Sequence, residues 1–234
     1  MDIFQKSQEL YTFHYNRQNG AAAPIRLKQI ESVTDVLTNH FPFDVVNCIE
    51  TGASQNWFDG MVGYYFASLT KITQGKYYSV DNDPNLEQKT LDAYSKIDST
   101  LEVNHITDDS VNFLKSVDFT PNLVHLDSWD LDLENPFPSA LHGWREFEAI
   151  ESRMPIGSII IVDDNFFGGT FQEWFYHDNL TGERVGSKII DIVYPIVGKG
   201  SHIYQYAERN DTNWNIISKG GVGNQKIIIQ KKYV

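Results

Sequence analysis

The chain has 234 residues, of which 41% are apolar, and it carries a formal net charge of −12. This length and apolar content predict one domain spanning residues 1–234 and argue against wholesale disorder. The negative charge makes nucleic acid an unfavourable partner, because an acidic surface repels the phosphate backbone. A small neutral or cationic ligand or a metal ion fits the acidity better, although most of the acids need only keep the protein in solution.

The sequence shows no targeting or membrane signal. The stretch MDIFQKSQELYTF lacks a basic start followed by an apolar block, and no apolar run reaches the ~20 residues of a membrane span. The single cysteine, Cys48, lies in an apolar stretch and cannot form a disulfide within the chain. We therefore expect a cytoplasmic protein without a membrane partner.

Helical apolar spacing and short apolar runs alternate along the chain. After a short N-terminal helix, predicted helices cover residues 25–41, 61–73, 110–117, 139–154 and 198–210, with another beginning at Pro84. Predicted strands cover residues 44–50, 76–81, 100–106, 122–127, 158–164, 214–220 and 225–232. This order predicts an α/β fold: a Rossmann-like, doubly wound sheet, mostly parallel, with a C-terminal antiparallel hairpin and N-terminal helices over residues 1–42.

Polar residues follow each of the first five predicted strands. In a parallel sheet, ligands bind at the carboxyl ends of the strands, so these residues are the candidates for a site. They are Glu50, Thr51 and Gly52 after the first strand, Asp81 after the second, Asp108 and Asp109 after the third, Asp127 after the fourth, and Asp163 and Asp164 after the fifth.

The loop after the first strand, ETGASQNWFDG, favours a nucleoside ligand other than a nicotinamide dinucleotide. It lacks the second glycine of the fingerprint G-x-G-x-x-G. Gly52 lets the backbone approach a ligand closely, and Ala53 and Ser54 follow it toward a helix whose free N–H groups can bind one. Asp81 can accept hydrogen bonds from both hydroxyls of a ribose; capping of the next helix suits Asp83 better.

The ordered set of motifs resembles the class I S-adenosylmethionine-dependent methyltransferases over roughly residues 43–232. Longer pieces, such as LDSWDLD and VDDN, are similar to a methyltransferase-like bacterial and phage subgroup. The resemblance implies S-adenosylmethionine bound by Glu50, Gly52, Ala53, Ser54, Asp81, Asp109, Ser110 and Asp127. Asp109 and Ser110 either meet the adenine edge or cap the helix that they begin. The chain departs from the family at Asn56, which replaces the last glycine of the loop.

Two strand ends carry clusters of oxygen ligands without histidine or cysteine, which suits Mg²⁺ or Ca²⁺. Catechol O-methyltransferase and macrolide-sugar O-methyltransferase types have a magnesium site at these strand ends. The resemblance implies a cation held by Asp127 with either Asp163 and Asp164 or Asp164 and Asn165. It would hold two substrate oxygens and lower the pKa of the hydroxyl to be methylated. Alternatively, the acids only bond loop amides.

Two residues are candidates for the catalytic base. Catechol-type relatives carry a lysine directly after the tryptophan of LDSW, where this chain has Asp130. A carboxylate is a weak base, yet it can accept a proton from a metal-activated hydroxyl. The other candidate is His142, with Glu146 one helical turn on. A histidine on a helix that packs against a sheet is more often structural.

The segment 166–198 is too long for an ordinary connection and predicts an inserted arm, with a hairpin around NLTGER. It is either a lid that places Trp174, Tyr176 and His177 over the substrate or a subunit interface of a homo-oligomer. Lys199, directly after it, either meets an anionic substrate group or begins the next helix.

The sequence thus predicts a methyltransferase that acts on an oxygen of a small molecule or sugar, assisted by Mg²⁺. Two alternatives stay open. One is a metal-assisted enzyme that does not methylate, like hydroxylase-like relatives on this fold. The other is a binding or scaffold protein that has lost the cofactor through its altered loop, since fold alone does not fix function.

Overall fold

The computed structural model describes residues 2–19, 24–53, 61–177, 184–209, 211–219 and 226–232. The α-helices are α1 (Ile3–Asn19), α2 (Pro24–His40), α3 (Val62–Thr73), α4 (Leu86–Ile97), α5 (Ser110–Ser116), α6 (Phe137–Ile150) and α7 (Ser201–Ala207). The strands are β1 (Cys48–Thr51), β2 (Tyr77–Asp81), β3 (Asn104–Thr107), β4 (Leu123–Leu126), β5 (Ile159–Val162), β6 (Asn165–Phe167), β7 (Thr170–His177), β8 (Arg184–Ile192), β9 (Ile196–Gly198), β10 (Trp214–Ser218) and β11 (Ile227–Lys231). Among the described helices, none combines the length and apolar character that a membrane span requires.

Seven strands form the central sheet in the order β10-β11-β5-β4-β1-β2-β3. Five of these strands run parallel to one another: β3, β2, β1, β4 and β5. Strand β11 runs antiparallel to both of its neighbours, β5 and β10. The predicted fold class is therefore confirmed, including the C-terminal hairpin, whose connecting residues 220–225 lie outside the described part of the chain. The strand order reverses between β1 and β4, and open α/β sheets bind ligands in the crevice at such a point.

The parallel strands end level with one another. Thr51, the last residue of β1, pairs with Val80 of β2 and with Leu126 of β4. Leu126 in turn pairs with Val162, the last residue of β5. The residues that follow these four strands therefore emerge side by side at one edge of the sheet.

The central strands bury both of their faces. Cys48, Leu123 and Ile159 pack in a cluster with side chains of α1 to α4, while Ile49 and Ile160 pack in a second cluster with side chains of α5 to α7. Successive side chains of a strand point to opposite faces, so both sets must be apolar when both faces are covered. This explains why the strands appear in the sequence as continuous apolar runs.

The two N-terminal helices pack against α3 through polar as well as apolar contacts. Ser7 Oγ donates to the Tyr65 carbonyl oxygen at 2.9 Å, and Thr34 Oγ1 donates to the Tyr65 hydroxyl at 3.0 Å. These contacts join α1 and α2 to the helix that follows β1. The assignment of residues 1–234 to one domain stays a prediction.

The segment 166–198 forms two antiparallel strand pairs, β6 with β9 and β7 with β8. The predicted hairpin is thereby confirmed. Its turn, residues 178–183, and the side chains of Trp174, Tyr176 and His177 lie outside the described part of the chain. A role as a lid over the substrate or as a subunit interface stays a prediction.

Candidate active site

A cavity of about 550 Å³ opens at the carboxyl ends of β1, β2, β4 and β5. It lies where the strand order reverses, as the sequence predicts. The predicted site residues that line it are Gly52, Ala53, Asp81, Asp109, Ser110, Asp127, Asp130, His142, Asp163 and Asp164. Ser54 and Asn56, with the rest of residues 54–60, lie outside the described part of the chain, so the effect of the altered loop stays a prediction.

Gly52 adopts a conformation that a larger residue would not tolerate. Its φ of 83° is in the left-handed region, and a β-carbon there would lie 2.5 Å from the carbonyl oxygen of Asp127. The Gly52 amide donates to Val80 O at 2.8 Å, which holds the turn against β2. The end of β1 therefore passes the end of β4 backbone to backbone, and this close approach shapes the cavity.

The Asp81 carboxylate is fixed in the cavity by two backbone amides. The Ala53 amide donates to Oδ2 and the Asp83 amide to Oδ1, both at 3.0 Å. A carboxylate has about four acceptor sites, so each oxygen retains capacity for a ligand hydroxyl. Asp83 accepts from the Asn85 amide at 2.9 Å, and this bond lowers the pKa of Asp83. Asp83 thus holds the turn before α4, whereas the predicted capping of the helix by Asp83 is wrong, because Asn85 lies at the cap position and makes no side-chain cap bond.

Asp109 and Ser110 begin α5 at the cavity wall. Asp109 accepts from the Asn112 amide at 3.0 Å, which confirms the predicted capping of this helix. Ser110 Oγ lies 3.0 Å from His142 Nε2 and joins the start of α5 to α6. Contact of either residue with an adenine ring stays a prediction that their position in the wall permits.

Glu50, in contrast, does not line the cavity. Its side chain is fully buried: the Tyr77 hydroxyl donates to Oε2 at 2.6 Å, and His125 Nδ1 lies 3.1 Å from Oε1. A β-carbon on Gly63 of α3 would lie 2.3 Å from Glu50 Oε2, so the helix packs directly over this carboxylate. The structure thus gives Glu50 a place in the packing between β1, β2, β4 and α3, and direct cofactor binding by Glu50 stays a prediction.

Lys199 bridges the acids that follow β4 and β5. Its Nζ lies 2.7 Å from Asp127 Oδ1, 3.0 Å from Asp127 O and 2.9 Å from Asp164 Oδ2. Burial alone would lower the pKa of Lys199, but Asp127 and Asp164 raise it well above its ordinary value. Burial raises the pKa of Asp127. Of the two predicted roles for Lys199, neither includes this bridge.

A second buried lysine pairs with Asp163. The Lys226 ammonium donates to Asp163 Oδ2, and it lies 3.4 Å from His125 Nε2. Burial opposes ionisation of Asp163, yet Lys226 beside it holds the pKa of Asp163 well below its ordinary value. The His125 contacts are satisfied when Nδ1 donates to Glu50 and Nε2 accepts from Lys226, a tautomer assigned from these contacts.

Asn165 also has its polar atoms engaged within the chain. Its Nδ2 donates to Val162 O and Asp163 O, each at 2.9 Å, and its Oδ1 accepts from the Gly200 amide at 2.7 Å. The amide oxygen, which would be its metal-binding atom, is thus turned to the backbone beside Lys199. Asn165 does not line the cavity.

These contacts do not fit the predicted Mg²⁺ or Ca²⁺ ion. His125, Asp127 and Asp163 have potential ligand atoms within 4.8 Å of one another. However, both nitrogens of His125 and one oxygen of Asp163 already have partners, and a lysine ammonium lies against each of the two acids. A divalent cation would enter against two positive charges at contact distance, which is strongly unfavourable in a partly buried site.

His142 and Asp130, the candidate bases, both lie at the cavity. His142 Nε2 is 3.6 Å from Glu146 Oε1, and Glu146 also accepts from Ser128 Oγ at 2.6 Å. The Trp129 ring covers His142 with centroids 5.2 Å apart. Because Ser110 and Glu146 approach the same nitrogen, Glu146 does not orient the ring from the opposite side as the acid of a catalytic triad does. Asp130 is exposed.

Sequence reasoning did not select several residues of the cavity wall. They include Arg26 from α2, together with Asn82, Ser128 and Trp129. Arg26 is the one with the greatest chemical consequence, since it adds a guanidinium to a wall that has seven aspartates. It lies within a helix predicted from apolar spacing, and nothing local distinguishes it from other arginines on helix surfaces.

Three solved structures show what the chain is similar to. An rRNA methylase from Streptococcus thermophilus is 12% identical, with a TM-score of 0.51, over 88% of this chain and 97% of that one. DesVI from Streptomyces venezuelae is 9% identical, with a TM-score of 0.50, over 96% of this chain and 98% of that one. A candidate methyltransferase from Streptococcus mutans, in complex with S-adenosylhomocysteine, is 14% identical, with a TM-score of 0.51, over 87% of this chain and 97% of that one. The chain has the class I methyltransferase fold.

At these identities the similarity concerns the fold, and the activity has to be inferred from the site. Neither a protein-family model nor a curated protein matches the chain. The predicted likeness to catechol and macrolide-sugar O-methyltransferase types is not confirmed by these structures. Because an rRNA methylase is among them, the predicted absence of a nucleic-acid partner is not supported either.

Proposed function

We propose that the chain is an S-adenosylmethionine-dependent methyltransferase whose acceptor is an oxygen of a small molecule or sugar. The observation that carries the proposal is the Asp81 carboxylate, held by two amides in the cavity at the reversal of strand order. When bound, the cofactor supplies an electrophilic methyl group on a sulfonium. The chain itself has to bind the cofactor, orient the acceptor and take up a proton.

The cavity wall has suitable groups for each part of this cofactor. Asp81 would accept from the ribose hydroxyls, while Gly52 lets the backbone come close to the methionine portion. The start of α5, with Asp109 and Ser110, would meet the adenine. Arg26 would pair with the carboxylate of the cofactor, since a guanidinium is suited to two-point binding of a carboxylate. Asp127 would accept from its amino group.

His142 and Asp130 stay the candidates for proton uptake. A general base must come within hydrogen-bond reach of the acceptor hydroxyl, and both residues lie at the cavity. His142 is held by Ser110 and covered by Trp129, so its position is better defined than that of the exposed Asp130. We favour His142 for this reason and leave the divalent cation out of the proposed reaction.

A small acceptor is favoured over nucleic acid by the sign of the cavity charge. The carboxylates of Asp81, Asp108 and Asp130 line the cavity, and they would repel a phosphate backbone. Single-stranded RNA of mixed sequence is the appropriate probe at low salt, where charge attraction is strongest. Micromolar RNA binding that weakens with salt would contradict this part of the proposal.

The test of the proposal is calorimetric titration with S-adenosylmethionine and S-adenosylhomocysteine. We expect binding by the wild-type chain and a loss of roughly 1–3 kcal/mol in Asp81→Ala, the usual loss for a hydrogen bond to a charged group. Asp83→Ala is the matched control, because Asp83 is a partly exposed acid two residues away that accepts from the Asn85 amide. If the wild-type chain does not bind at millimolar cofactor, the proposal is wrong and the scaffold alternative gains.

A further inference from the structure

The Lys199 ammonium donates two hydrogen bonds to Asp127 and forms an ion pair with Asp164. An ammonium has three donors, and Nζ has three acceptors within 3.0 Å: Asp127 O, Asp127 Oδ1 and Asp164 Oδ2. The side chain is only 4% exposed. A nearly buried ammonium held between two carboxylates is poorly placed to meet an anionic substrate group, so we assign its role to the two carboxylates.

The backbone of the Gly198-Lys199-Gly200 segment fixes where this ammonium lies. A β-carbon on Gly198, whose φ is 133°, would fall 2.0 Å from Asp164 O, so the segment passes directly against the end of β5. A β-carbon on Gly143 of α6 would fall 2.4 Å from Lys199 O. Asn165 adds its bond to the Gly200 amide. Contacts on both sides of Lys199 therefore hold its backbone in place.

The acids at these two strand ends are balanced by side chains of the chain itself. Asp127 and Asp164 share Lys199, and Asp163 has Lys226. The ammonium of Lys199 lies between carboxylates that follow two neighbouring strands, 2.7 Å from Asp127 and 2.9 Å from Asp164. At these distances its positive charge offsets the negative charges of both acids. The same carboxylates without Lys199 would form an acidic pair open to the cavity.

We infer that Lys199 is a built-in substitute for a divalent cation, so that this site needs no metal ion and binds one only when Lys199 is removed. Lys199 acts as a positioning residue: it holds Asp127 and Asp164 in fixed orientations at the cavity. The inference concerns whether a metal ion binds between Asp127 and Asp164. It does not depend on whether the chain transfers a methyl group.

The experiment is a titration of chelator-treated protein with CaCl₂ and with MgCl₂, followed by calorimetry and by the thermal midpoint. The variants are Lys199→Met, which removes the charge and keeps the chain length, and the double variant Lys199→Met with Asp164→Asn. Lys188→Met is the matched control, because Lys188 is an exposed lysine paired with Glu134 at 2.6 Å, outside the cavity.

We expect the wild type and Lys188→Met to give no heat and no change in thermal midpoint at millimolar cation. Lys199→Met should bind Ca²⁺ and gain about 3–6 °C at a cation concentration ten times its dissociation constant. The double variant should lose this response. A purely structural lysine would lower the midpoint of Lys199→Met without creating any dependence on the cation.

Two results would overturn the inference. One is a wild-type chain that binds either cation with a heat that Asp127→Asn removes; the other is a folded Lys199→Met that ignores both cations. If Lys199→Met folds only when Ca²⁺ is present, the inference is supported. If it does not fold under any condition, the wild-type titration decides: a silent titration supports the inference and a binding isotherm overturns it.

Discussion

The end of β2 and the ends of β4 and β5 present carboxylates to the same cavity, but different groups hold the carboxylates in the two regions. At β2, the Asp81 carboxylate is held by backbone amides from its own neighbourhood. At β4 and β5, the carboxylates are held by the ammonium groups of Lys199 and Lys226. The first arrangement leaves a carboxylate with capacity for a ligand hydroxyl, and the second forms an internal salt-bridge network.

The difference shows that the role of an acid at the end of a strand cannot be assigned until the group that it pairs with is known. Amide donors stabilise a carboxylate without cancelling its charge, so it can still bind a ligand hydroxyl. A buried ammonium cancels the charge and takes up acceptor sites, and removal of either partner then leaves an uncompensated charge. The predictions below separate these two cases, beginning with the largest effect.

Lys226→Met should give the largest loss of stability. It leaves the buried Asp163 without its ammonium partner, and breaking a buried pair from one side costs about 3–5 kcal/mol. Urea denaturation measures the loss. The double variant Lys226→Met with Asp163→Asn should recover most of it, because neither side then carries an unpaired charge. A single variant that loses less than about 1 kcal/mol would show that this pair behaves like a surface pair.

Gly52→Ala should come next, because Gly52 lies where the end of β1 contacts the end of β4. The new β-carbon would meet the Asp127 carbonyl at 2.5 Å, so the backbone must shift, and we expect S-adenosylhomocysteine affinity to fall at least about tenfold. The control is Gly169→Ala. Gly169 has a similar φ of 79° but nothing within 4 Å of the added carbon.

If Gly52→Ala and Gly169→Ala lose the same stability and both keep full affinity, the close approach of β1 and β4 does not matter for the cavity. The comparison isolates the steric contact, because both substitutions share the cost of a left-handed backbone, about 1–2 kcal/mol. The stability loss of Gly52→Ala should exceed that of the control by about 1–3 kcal/mol.

Arg26→Gln tests the guanidinium in the cavity wall. On the proposed function, Arg26 pairs with the cofactor carboxylate, so S-adenosylhomocysteine should bind about tenfold more weakly, equivalent to about 1.4 kcal/mol. Methylthioadenosine, which lacks the carboxylate, should bind the variant and the wild type equally, as calorimetry can measure. Arg17→Gln, at an exposed position of α1, is the control. An equal loss for both ligands would mean that Arg26 acts on the fold instead.

The smallest effect is expected at an exposed ion pair, Lys71 with Asp98, 2.7 Å apart. Partial burial opposes ionisation of Asp98, but Lys71 and Thr100 outweigh it and lower the pKa of Asp98 to about 2. Because the folded pKa lies below the ordinary value of ~3.9, the stabilisation is present above pH ~4 and is lost as the pH falls toward 2.

Asp98→Asn should therefore cost no more than about 1 kcal/mol at pH 7, since solvent screens a pair this exposed. Denaturation curves of the variant and the wild type should converge as the pH falls from 4 to 2. A difference that persists at pH 2 would come from the hydrogen bonds of Asp98 to Thr100, and the ion pair would then contribute little.

The sequence predicted those features of the fold that depend on residues close together along the chain. The continuous apolar run Ile159–Val162 predicted a strand buried on both faces, and Gly52, Asp81 and Asp109 were assigned to strand ends and a helix start because short patterns define those places. The positions of these residues in the cavity follow from the parallel topology alone. Their roles toward a cofactor stay predictions.

The sequence could not supply the partners of the acids after β4 and β5. Asp163 pairs with Lys226 because β11 lies antiparallel beside β5. Lys199 pairs with Asp127 although the inserted arm, residues 166–198, lies between them in the sequence. Without these pairings, three carboxylates and an asparagine resemble a set of metal ligands. Charge balance across long separations depends on the complete fold, and spacing along the chain does not encode it.

The contact of Gly143 with the Lys199 carbonyl has a consequence for how this site could change. The helix that carries His142 touches the backbone beside the bridging lysine with no side chain between them. The distance between α6 and the Gly198-Lys199-Gly200 segment is therefore set by main-chain contact, and any side chain at position 143 would push the two apart. On the proposed function, a change of acceptor would therefore be accommodated more readily by the side chains that line the cavity, such as Trp129 and Asp130, than by a side chain at position 143.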